Sequence, residues 1–175
     1  YASVELLRYP QLKGLPVIIG GGRRREDDAL TAAYGGQLAE IPVAAFPLLK
    51  DYVGRGVITT ATYQARAFGV GSAMGMMKAA KLCPQAILLP VDFARYRQFS
   101  RQFKAIITAI APQMEDRGVD EVYIDFTHVE GGQDEQGRTL ALRLQSEIFA
   151  ATGLTCSIGV APNKLLAKMA SEFNK

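Results

Sequence analysis

From Asp92 onward the chain has its most regular pattern of apolar and polar positions. Apolar residues recur at spacings of three and four as far as Ile110, with basic residues on the opposite face. This pattern predicts an amphipathic helix that ends near Pro112. A second helix is predicted over residues 138–151, with inward positions at Leu140, Leu142, Leu144, Ile148 and Phe149 and a cap at Gly153.

Short β-branched and aromatic runs between and after these helices predict strands. They lie at residues 119–127 and 155–160, a further strand is predicted at residues 112–115, and a last helix begins at Pro162 or Asn163. The order is then helix, two strands, helix, strand, helix. One more strand upstream would complete a β-α-β-β-α-β ferredoxin-like layer, so the predicted class is α+β with the first strand of that layer missing.

The pattern before Asp92 is less regular and predicts a small α/β unit. Strands are predicted at residues 15–19, 56–62 and 87–89, and helices at 4–9, 63–68 and 73–82, with Ser3 and Ser72 as N-caps. Gly20–Gly22 and Arg23–Arg25 then open an excursion of about thirty residues, with a helical turn expected within 46–52. A Gly-rich turn with arginines can cradle phosphate, but the P-loop spacing is missing, which favours a solvated loop.

Composition is that of an ordinary globular protein. The 175 residues are 49% hydrophobic and 21% charged, enough for one domain or two small ones. The net charge of +3 permits a polyanionic partner without requiring one. Without a signal peptide or a long apolar run, we expect a cytoplasmic protein with no membrane partner. Tyr1 in place of methionine and a helical pattern running to Lys175 predict a fragment of a longer protein.

Cysteine and histidine usage argues against several kinds of site. Cys83 and Cys156 lie far apart in apolar surroundings, which predicts reduced core thiols. His128 is the only histidine, so a His-based zinc cluster is excluded and a Ser-His-Asp apparatus is disfavoured.

Asp120 and Glu121 are adjacent carboxylates at the start of the predicted strand 119–127. Like charges that share one site repel, and a divalent cation is the obvious stabilising ligand. Successive strand side chains point to opposite faces, so the pair converges only where the strand begins or bulges, and Gly118 can supply the bend. The alternative is an Asp-Glu pair on the solvated lip of a hairpin.

Four motifs then occur in the order in which one protein family has them. They are YASVE at residues 1–5, ATYQAR at 61–66, VDEVYID at 119–125 and GVAPNKLLAK at 159–168. Together they resemble the Y-family, or translesion, DNA polymerases of the DinB type, and the resemblance covers almost the whole chain.

The resemblance implies a role for each matching position. Asp120 and Glu121 match the paired carboxylates that bind two Mg²⁺ ions, and Tyr1 matches the steric-gate aromatic that excludes a 2′-hydroxyl. The nucleotide contacts implied are Thr60, Tyr63 and Arg66 in the fingers and Lys164 in the palm. Residues 1–91 would form the fingers, 92–171 the palm, and 172–175 the start of the thumb.

The implied activity is template-directed addition of deoxynucleotides to a primer 3′ end, in DNA damage tolerance, DNA repair and the SOS response. The implied partners are primer-template DNA and deoxynucleoside triphosphates, with a sliding clamp reached through C-terminal regions absent from the chain. Two readings compete with this one. A catalytically silent DNA- or partner-binding relative would keep the fold alone, and a nucleotidyl cyclase is disfavoured by the fingers-like segment.

Three departures from the family pattern stand out. The first catalytic aspartate of the family lies five residues before the steric gate, which is off the start of this chain, so we expect the fragment itself to be inactive. Gly118 occupies a position that is commonly serine. The excursion after Gly20 replaces a short link.

Overall fold

A computed structural model describes residues 1–24 and 29–173 of the chain. The chain forms two compact units, Tyr1–Arg95 and Tyr96–Lys175. Among the described residues, no helix has the length and apolarity needed to cross a membrane.

A three-stranded sheet with strand order β2-β1-β3 forms the centre of the first unit. The strands are β1 (Val17–Arg23), β2 (Ile58–Ala61) and β3 (Ile87–Val91). The central strand β1 runs antiparallel to β2 and parallel to β3. Its first four residues are fully buried, because both edges and both faces of this half of the strand are covered.

The helices of this unit are short, and several 3-10 turns accompany them. The helices are α1 (Ala2–Arg8), α2 (Ala29–Ala33), α3 (Tyr63–Arg66) and α4 (Met76–Leu82), and the turns are Pro10–Leu12, Leu38–Glu40, Val43–Ala45 and Leu49–Asp51. Ala65 of α3, Met76 and Ala79 of α4, and Leu49 pack on Ile18 and Ile58 of the sheet. The helical turn expected within residues 46–52 is therefore confirmed as a 3-10 turn that closes this core.

The glycine run was predicted to be a turn, and that prediction is wrong: Gly20–Gly22 lies inside β1. The β1–β2 register shifts between Ile19 and Gly20. A Cβ at Gly20 would lie 2.7 Å from the carbonyl oxygen of Val57, so glycine permits a close approach of two backbones here. The expectation of a solvated loop is also wrong for Arg24, whose side chain is 12% exposed and pairs with Glu5. Arg25 lies outside the described residues.

Two predicted helix starts are wrong for separate reasons. Helix α1 already begins at Ala2, so Ser3 lies inside it rather than at its N-cap. Helix α4 begins at Met76 rather than after Ser72. The backbone N–H of Ala73 donates to Ile58 O at 2.8 Å, and Ile58 N donates to Met74 O at 2.8 Å. This pairing with β2 removes residues 73 and 74 from the helix.

The second unit packs two helices against a small hairpin. It contains most of α5 (Phe93–Ile110), the strands β4 (Met114–Asp116) and β5 (Val122–Ile124), a 3-10 turn at Asp134–Gly137, and the helices α6 (Arg138–Thr152) and α7 (Lys164–Glu172). Its core consists of Ile107, Leu140, Leu144 and Ile148, with Val122 and Ile124 of the hairpin packed against them. The predicted α5, α6 and α7 are confirmed, as is the mixed α+β class.

Residues 155–160 were predicted to be a strand, and the prediction is wrong. The segment pairs with no other strand in the part of the chain that the structure describes, although Cys156 and Ile158 pack on the core of the second unit. Within α6, Leu142 and Phe149 are 49% and 54% exposed, so these two residues do not face inward as predicted. The face of α6 that packs on the core therefore contains fewer apolar residues than the sequence pattern predicted.

The two cysteines are free thiols, as the sequence predicts. Burial raises the pKa of both Cys83 and Cys156, which keeps them protonated and unreactive at neutral pH.

Candidate active site

Asp120 and Glu121 lie in the connection between β4 and β5, immediately before β5 begins. The last pair of the ladder is Asp116 with Val122, and the N–H of Arg117 then donates to Glu121 O at 3.1 Å. Both carboxylates are exposed. The connection meets the geometric condition that the sequence sets, since neither residue lies inside the strand, where the two side chains would diverge.

Gly118 and Lys104 shape this connection. Gly118 has a φ of 139°, a conformation that a residue with a Cβ rarely adopts. The Lys104 ammonium donates to Asp116 at 2.8 Å and to the carbonyl oxygen of Gly118 at 2.6 Å. The turn that presents the two carboxylates is therefore held from α5.

Helix α7 presents two lysines to the hairpin. Asn163, one of the two positions at which the sequence predicts the helix to begin, caps the helix by accepting a hydrogen bond from Leu166 N at 3.0 Å. The Lys164 ammonium pairs with Glu115 and lies 5.6 Å from the centroid of the Tyr123 ring. One turn later, Lys168 pairs with Glu121 and, at 3.1 Å, with Glu172.

The contact of Lys168 with Glu121 is a feature that the sequence interpretation missed. Its signal is the spacing of four residues between Lys164 and Lys168, which places both ammonium groups on one face of α7. The sequence alone did not say which carboxylates this face would meet.

These contacts favour the charged forms of the side chains that take part in them. The hydrogen bond from Lys164 lowers the pKa of Glu115, and the hydrogen bond from Lys104 lowers the pKa of Asp116. Hydrogen bonds to Glu121 and then Glu172 raise the pKa of Lys168. Outside the turn, Thr127 lowers the pKa of Asp125 through its side chain and its N–H group.

The carboxylate pair suits a metal shared with a substrate better than a closed protein site. Within residues 1–24 and 29–173, no group of three or more His, Cys, Asp or Glu side chains is placed to hold a metal ion. Asp120 makes no hydrogen bond or ion pair with the described residues, whereas Glu121 carries Lys168. Mg²⁺ commonly takes one or two carboxylates and completes its shell with waters and substrate phosphates, and Asp120 with Glu121 fits that donor set.

In the first unit, Thr60, Tyr63 and Arg66 gather at the end of β2. Arg66 Nε donates to Ala61 O at 3.0 Å, and its Nη2 donates to Thr60 Oγ1 at 3.4 Å. Tyr63 stands one turn earlier on α3, and its side chain is 70% exposed. The guanidinium of Arg66 is thus oriented by two oxygen atoms, and Tyr63 and Arg66 are both exposed.

Tyr1 lies at the N-terminus of α1, where its carbonyl oxygen accepts from Glu5 N at 3.2 Å. Its ring meets the ring of Phe93 edge to face, with centroids 6.2 Å apart and an interplanar angle of 89°. The residue is partly exposed. The Tyr1 ring is thus supported by an aromatic neighbour.

Known proteins resemble this chain along its whole length. The sequence model of the impB/mucB/samB family matches residues 1–172. DNA polymerase IV of Caulobacter vibrioides is 39% identical over 175 residues, which cover 100% of this chain and 36% of that protein. DNA polymerase IV of Lactococcus lactis subsp. cremoris is 37% identical over 175 residues, covering 100% of this chain and 41% of that protein.

Solved structures also resemble this chain over its whole length. The insertion ternary complex of Dbh DNA polymerase matches with a TM-score of 0.78 and 30% identity, covering 100% of this chain and 43% of that one. DinB from Sulfolobus solfataricus matches with a TM-score of 0.77 and 29% identity, again covering 100% of this chain and 43% of the other. The chain therefore spans less than half the length of these relatives.

Proposed function

Because the chain belongs to the impB/mucB/samB family, the Y-family of DNA polymerases, we propose that the whole protein is a template-directed DNA polymerase of the translesion type. It adds deoxynucleotides to a primer 3′ end, in DNA damage tolerance, DNA repair and the SOS response. The observation that carries the proposal is the similarity of the entire chain, in both sequence and fold, to DNA polymerase IV proteins and to Dbh DNA polymerase.

We assign the hairpin carboxylates to metal binding. Asp120 and Glu121 would hold Mg²⁺ together with the phosphates of the incoming nucleotide, since hard cations prefer carboxylate and phosphate oxygens. Two such ions, when bound, stabilise the attacking 3′-oxygen and the leaving pyrophosphate. To bind the metal ion, Glu121 must give up its ion pair with Lys168. Because that ion pair is exposed, breaking it costs little free energy.

The nucleotide contacts follow from the first unit and from α7. Arg66, already oriented by Thr60, donates to triphosphate oxygens, and Tyr63 adds a hydroxyl donor. Lys164 supplies a further positive charge once its pair with Glu115 opens. Tyr1 packs against the deoxyribose, so that a 2′-hydroxyl has no room.

The proposed assignment of domains is fingers for residues 1–91, palm for residues 92–171 and the start of the thumb for residues 172–175. A polymerase of this kind works on cytoplasmic DNA, with primer-template DNA and deoxynucleoside triphosphates as partners. A sliding clamp is a further proposed partner, reached through parts of the protein beyond this chain.

Primer extension by the full-length protein tests the proposal. We expect Asp120→Asn and Glu121→Gln each to lower nucleotide incorporation by about a hundred-fold or more, because each removes a charge from the reacting centre. Glu130→Gln removes an equally exposed carboxylate elsewhere in the second unit and should leave incorporation unchanged. Circular dichroism spectra of all variants should match that of the wild type.

Two results would contradict the proposal. Extension by both carboxylate variants at near wild-type rates would remove the metal role of Asp120 and Glu121. A wild-type protein that binds primer-template DNA without extending it, at any Mg²⁺ concentration tested, would identify a catalytically silent relative instead.

A further inference from the structure

A fully buried glutamate lies on the helix that carries Tyr1. Tyr1, Glu5 and Arg8 are spaced by four and three residues, which places them on one face of α1. The Glu5 side chain has no exposed surface. A buried carboxylate is stable only where it is paired and hydrogen-bonded. The neighbours of Glu5 must therefore supply a positive charge and hydrogen-bond donors.

Arg24, at the end of β1, is the cation that meets Glu5. Its Nη2 lies 3.4 Å from Glu5 Oε2, and its Nη1 donates to the hydroxyl of Tyr9 at 3.0 Å. The guanidinium also lies 5.6 Å from the centroid of the Tyr9 ring. The backbone N–H of Arg24 donates to Val91 O at 2.8 Å, which ties the arginine to the end of β3.

Asp92 completes the cluster at the start of α5. Its carboxylate accepts from Arg8 Nη1 at 2.9 Å, lies 3.7 Å from Arg24 Nε and caps α5 through Arg95 N at 3.0 Å. Burial raises the pKa of Asp92, but the hydrogen bond from Arg95 and the two arginine charges outweigh burial and leave that pKa below its ordinary value. Asp92 therefore stays ionised, and the cluster holds two carboxylates and two guanidinium groups.

The charged cluster and the contact of Tyr1 with Phe93 both link α1 to the start of α5. Phe93, which supports the Tyr1 ring, directly follows Asp92. The cluster thus joins α1 to the start of α5 one and two turns along the helix from the point where Tyr1 meets Phe93. A shift or rotation of α1 that moved Tyr1 off Phe93 would have to break these ion pairs.

We propose that Glu5, Arg24 and Asp92 are positioning residues that hold Tyr1 in place and so set the discrimination against ribonucleotides. The inference rests on the proposed role of Tyr1 as the steric gate. A steric filter works only while the ring is held within a fraction of an ångström, since a hydroxyl group needs little added space. Loss of one charge weakens the pairing of the remaining buried charges and loosens the hold on α1.

The test measures the ratio of ribonucleotide to deoxyribonucleotide incorporation efficiency on one template, with the full-length protein. Tyr1→Ala calibrates the assay and should raise the ratio most. Glu5→Gln keeps the volume of the side chain but removes the charge, and it should raise the ratio by roughly three- to tenfold. Arg24→Gln should do the same, and the double variant should exceed neither single variant by much, because the two residues act as one unit.

A matched control separates positioning from loss of stability. Ile58→Val trims the sheet core of the same unit, where Ile58 is 1% exposed and lies outside the charged cluster. It should lower the thermal midpoint without changing the ratio. If Glu5→Gln does not fold, Asp92→Asn is used instead, because its side chain is 13% exposed. It should raise the incorporation ratio in the same way.

The outcomes distinguish this inference from the function on which it rests. A raised ratio for Tyr1→Ala with an unchanged ratio for Glu5→Gln or Asp92→Asn would overturn the positioning role alone. An unchanged ratio for Tyr1→Ala would overturn the gate and the positioning role together, while leaving polymerase activity as a separate result. An equal rise in the Ile58→Val control would show that instability, not position, governs the ratio, and would also overturn the inference.

Discussion

At the scale of single residues, the proposed nucleotide contacts differ in how firmly they are already held. Arg66 is oriented by Ala61 O and by Thr60, so little conformational entropy is lost when it meets a phosphate. Lys164 is instead engaged with Glu115. The two residues therefore make different predictions, although the sequence motifs give them similar roles.

For Arg66→Ala we expect nucleotide KM to rise about tenfold or more, as the loss of a charge-assisted hydrogen bond implies. The affinity for primer-template DNA should change little. Gln64→Ala, on the same short helix, is the matched control and should leave both quantities near wild type. A loss confined to DNA affinity, with a smaller dependence on salt, would place Arg66 on the DNA-binding surface instead.

Lys164 can be tested through its partner. Glu115→Gln releases the ammonium, so nucleotide KM should fall by roughly two- to fivefold if Lys164 binds the triphosphate, whereas Lys164→Ala should raise KM. Steady-state kinetics at saturating primer-template measures both variants. Should each variant alter only the thermal midpoint and neither alter KM, Lys164 would be an anchor of α7 rather than a nucleotide contact.

Whether a contact can be predicted from the sequence depends on how far apart its two residues lie along the chain. The cap by Asn163 is local, and a local rule predicts it. Arg24 and Glu5 are nineteen residues apart and Glu121 and Lys168 are forty-seven apart, and no periodicity connects them. Three consecutive arginines indicated a solvated loop, yet the second of them lies inside a charged cluster.

At the scale of elements, prediction succeeded where a helix owes its stability to one apolar face. The observed bounds of α5 and α6 and the observed start of α7 lie within two residues of the predicted ones, because an amphipathic period and a cap are local properties. Prediction failed where backbone hydrogen bonds between separate segments decided the structure. Residues 73 and 74 bond to β2 instead of joining α4, and residues 155–160 have strand-like composition but pair with no strand among the described residues.

The packing of the 155–160 segment on α7 depends on a glycine, which gives a prediction at this scale. A Cβ on Gly159 would lie 2.1 Å from Ala167 O and 2.4 Å from Ser171 N, both backbone atoms of α7. Gly159→Ala should destabilise the second unit by about 1 to 3 kcal/mol, the usual cost of overpacking. Denaturant unfolding followed by circular dichroism measures this change.

Gly71→Ala is the control for that experiment, because no atom of the described residues, other than those of Gly71 and its two chain neighbours, lies within 4 Å of the position its Cβ would take. It should change the free energy of unfolding by no more than about 0.5 kcal/mol. Equal effects of the two substitutions would mean that α7 does not pack on Gly159 as described.

At the scale of the whole molecule, the chain spans less than half the length of the relatives that it matches. It covers 36% of DNA polymerase IV of Caulobacter vibrioides and 43% of Dbh DNA polymerase. The proposed functional residues come from both units: Tyr1, Thr60, Tyr63 and Arg66 from the first, and Asp120, Glu121 and Lys164 from the second. Composition and net charge alone gave no indication of this function, whereas four short motifs in order did.

The most direct measurement of the central claim is single-nucleotide incorporation by the full-length protein on four primer-templates that differ only in the templating base. Each of the four deoxynucleotides is supplied alone, with Mg²⁺, and the rate of primer elongation by one nucleotide is recorded. We predict that the complementary deoxynucleotide is added fastest opposite every base and that Asp120→Asn lowers the rate of addition by about a hundred-fold or more. Addition that ignores the templating base, or no addition on any template, would contradict the assignment of a template-directed polymerase.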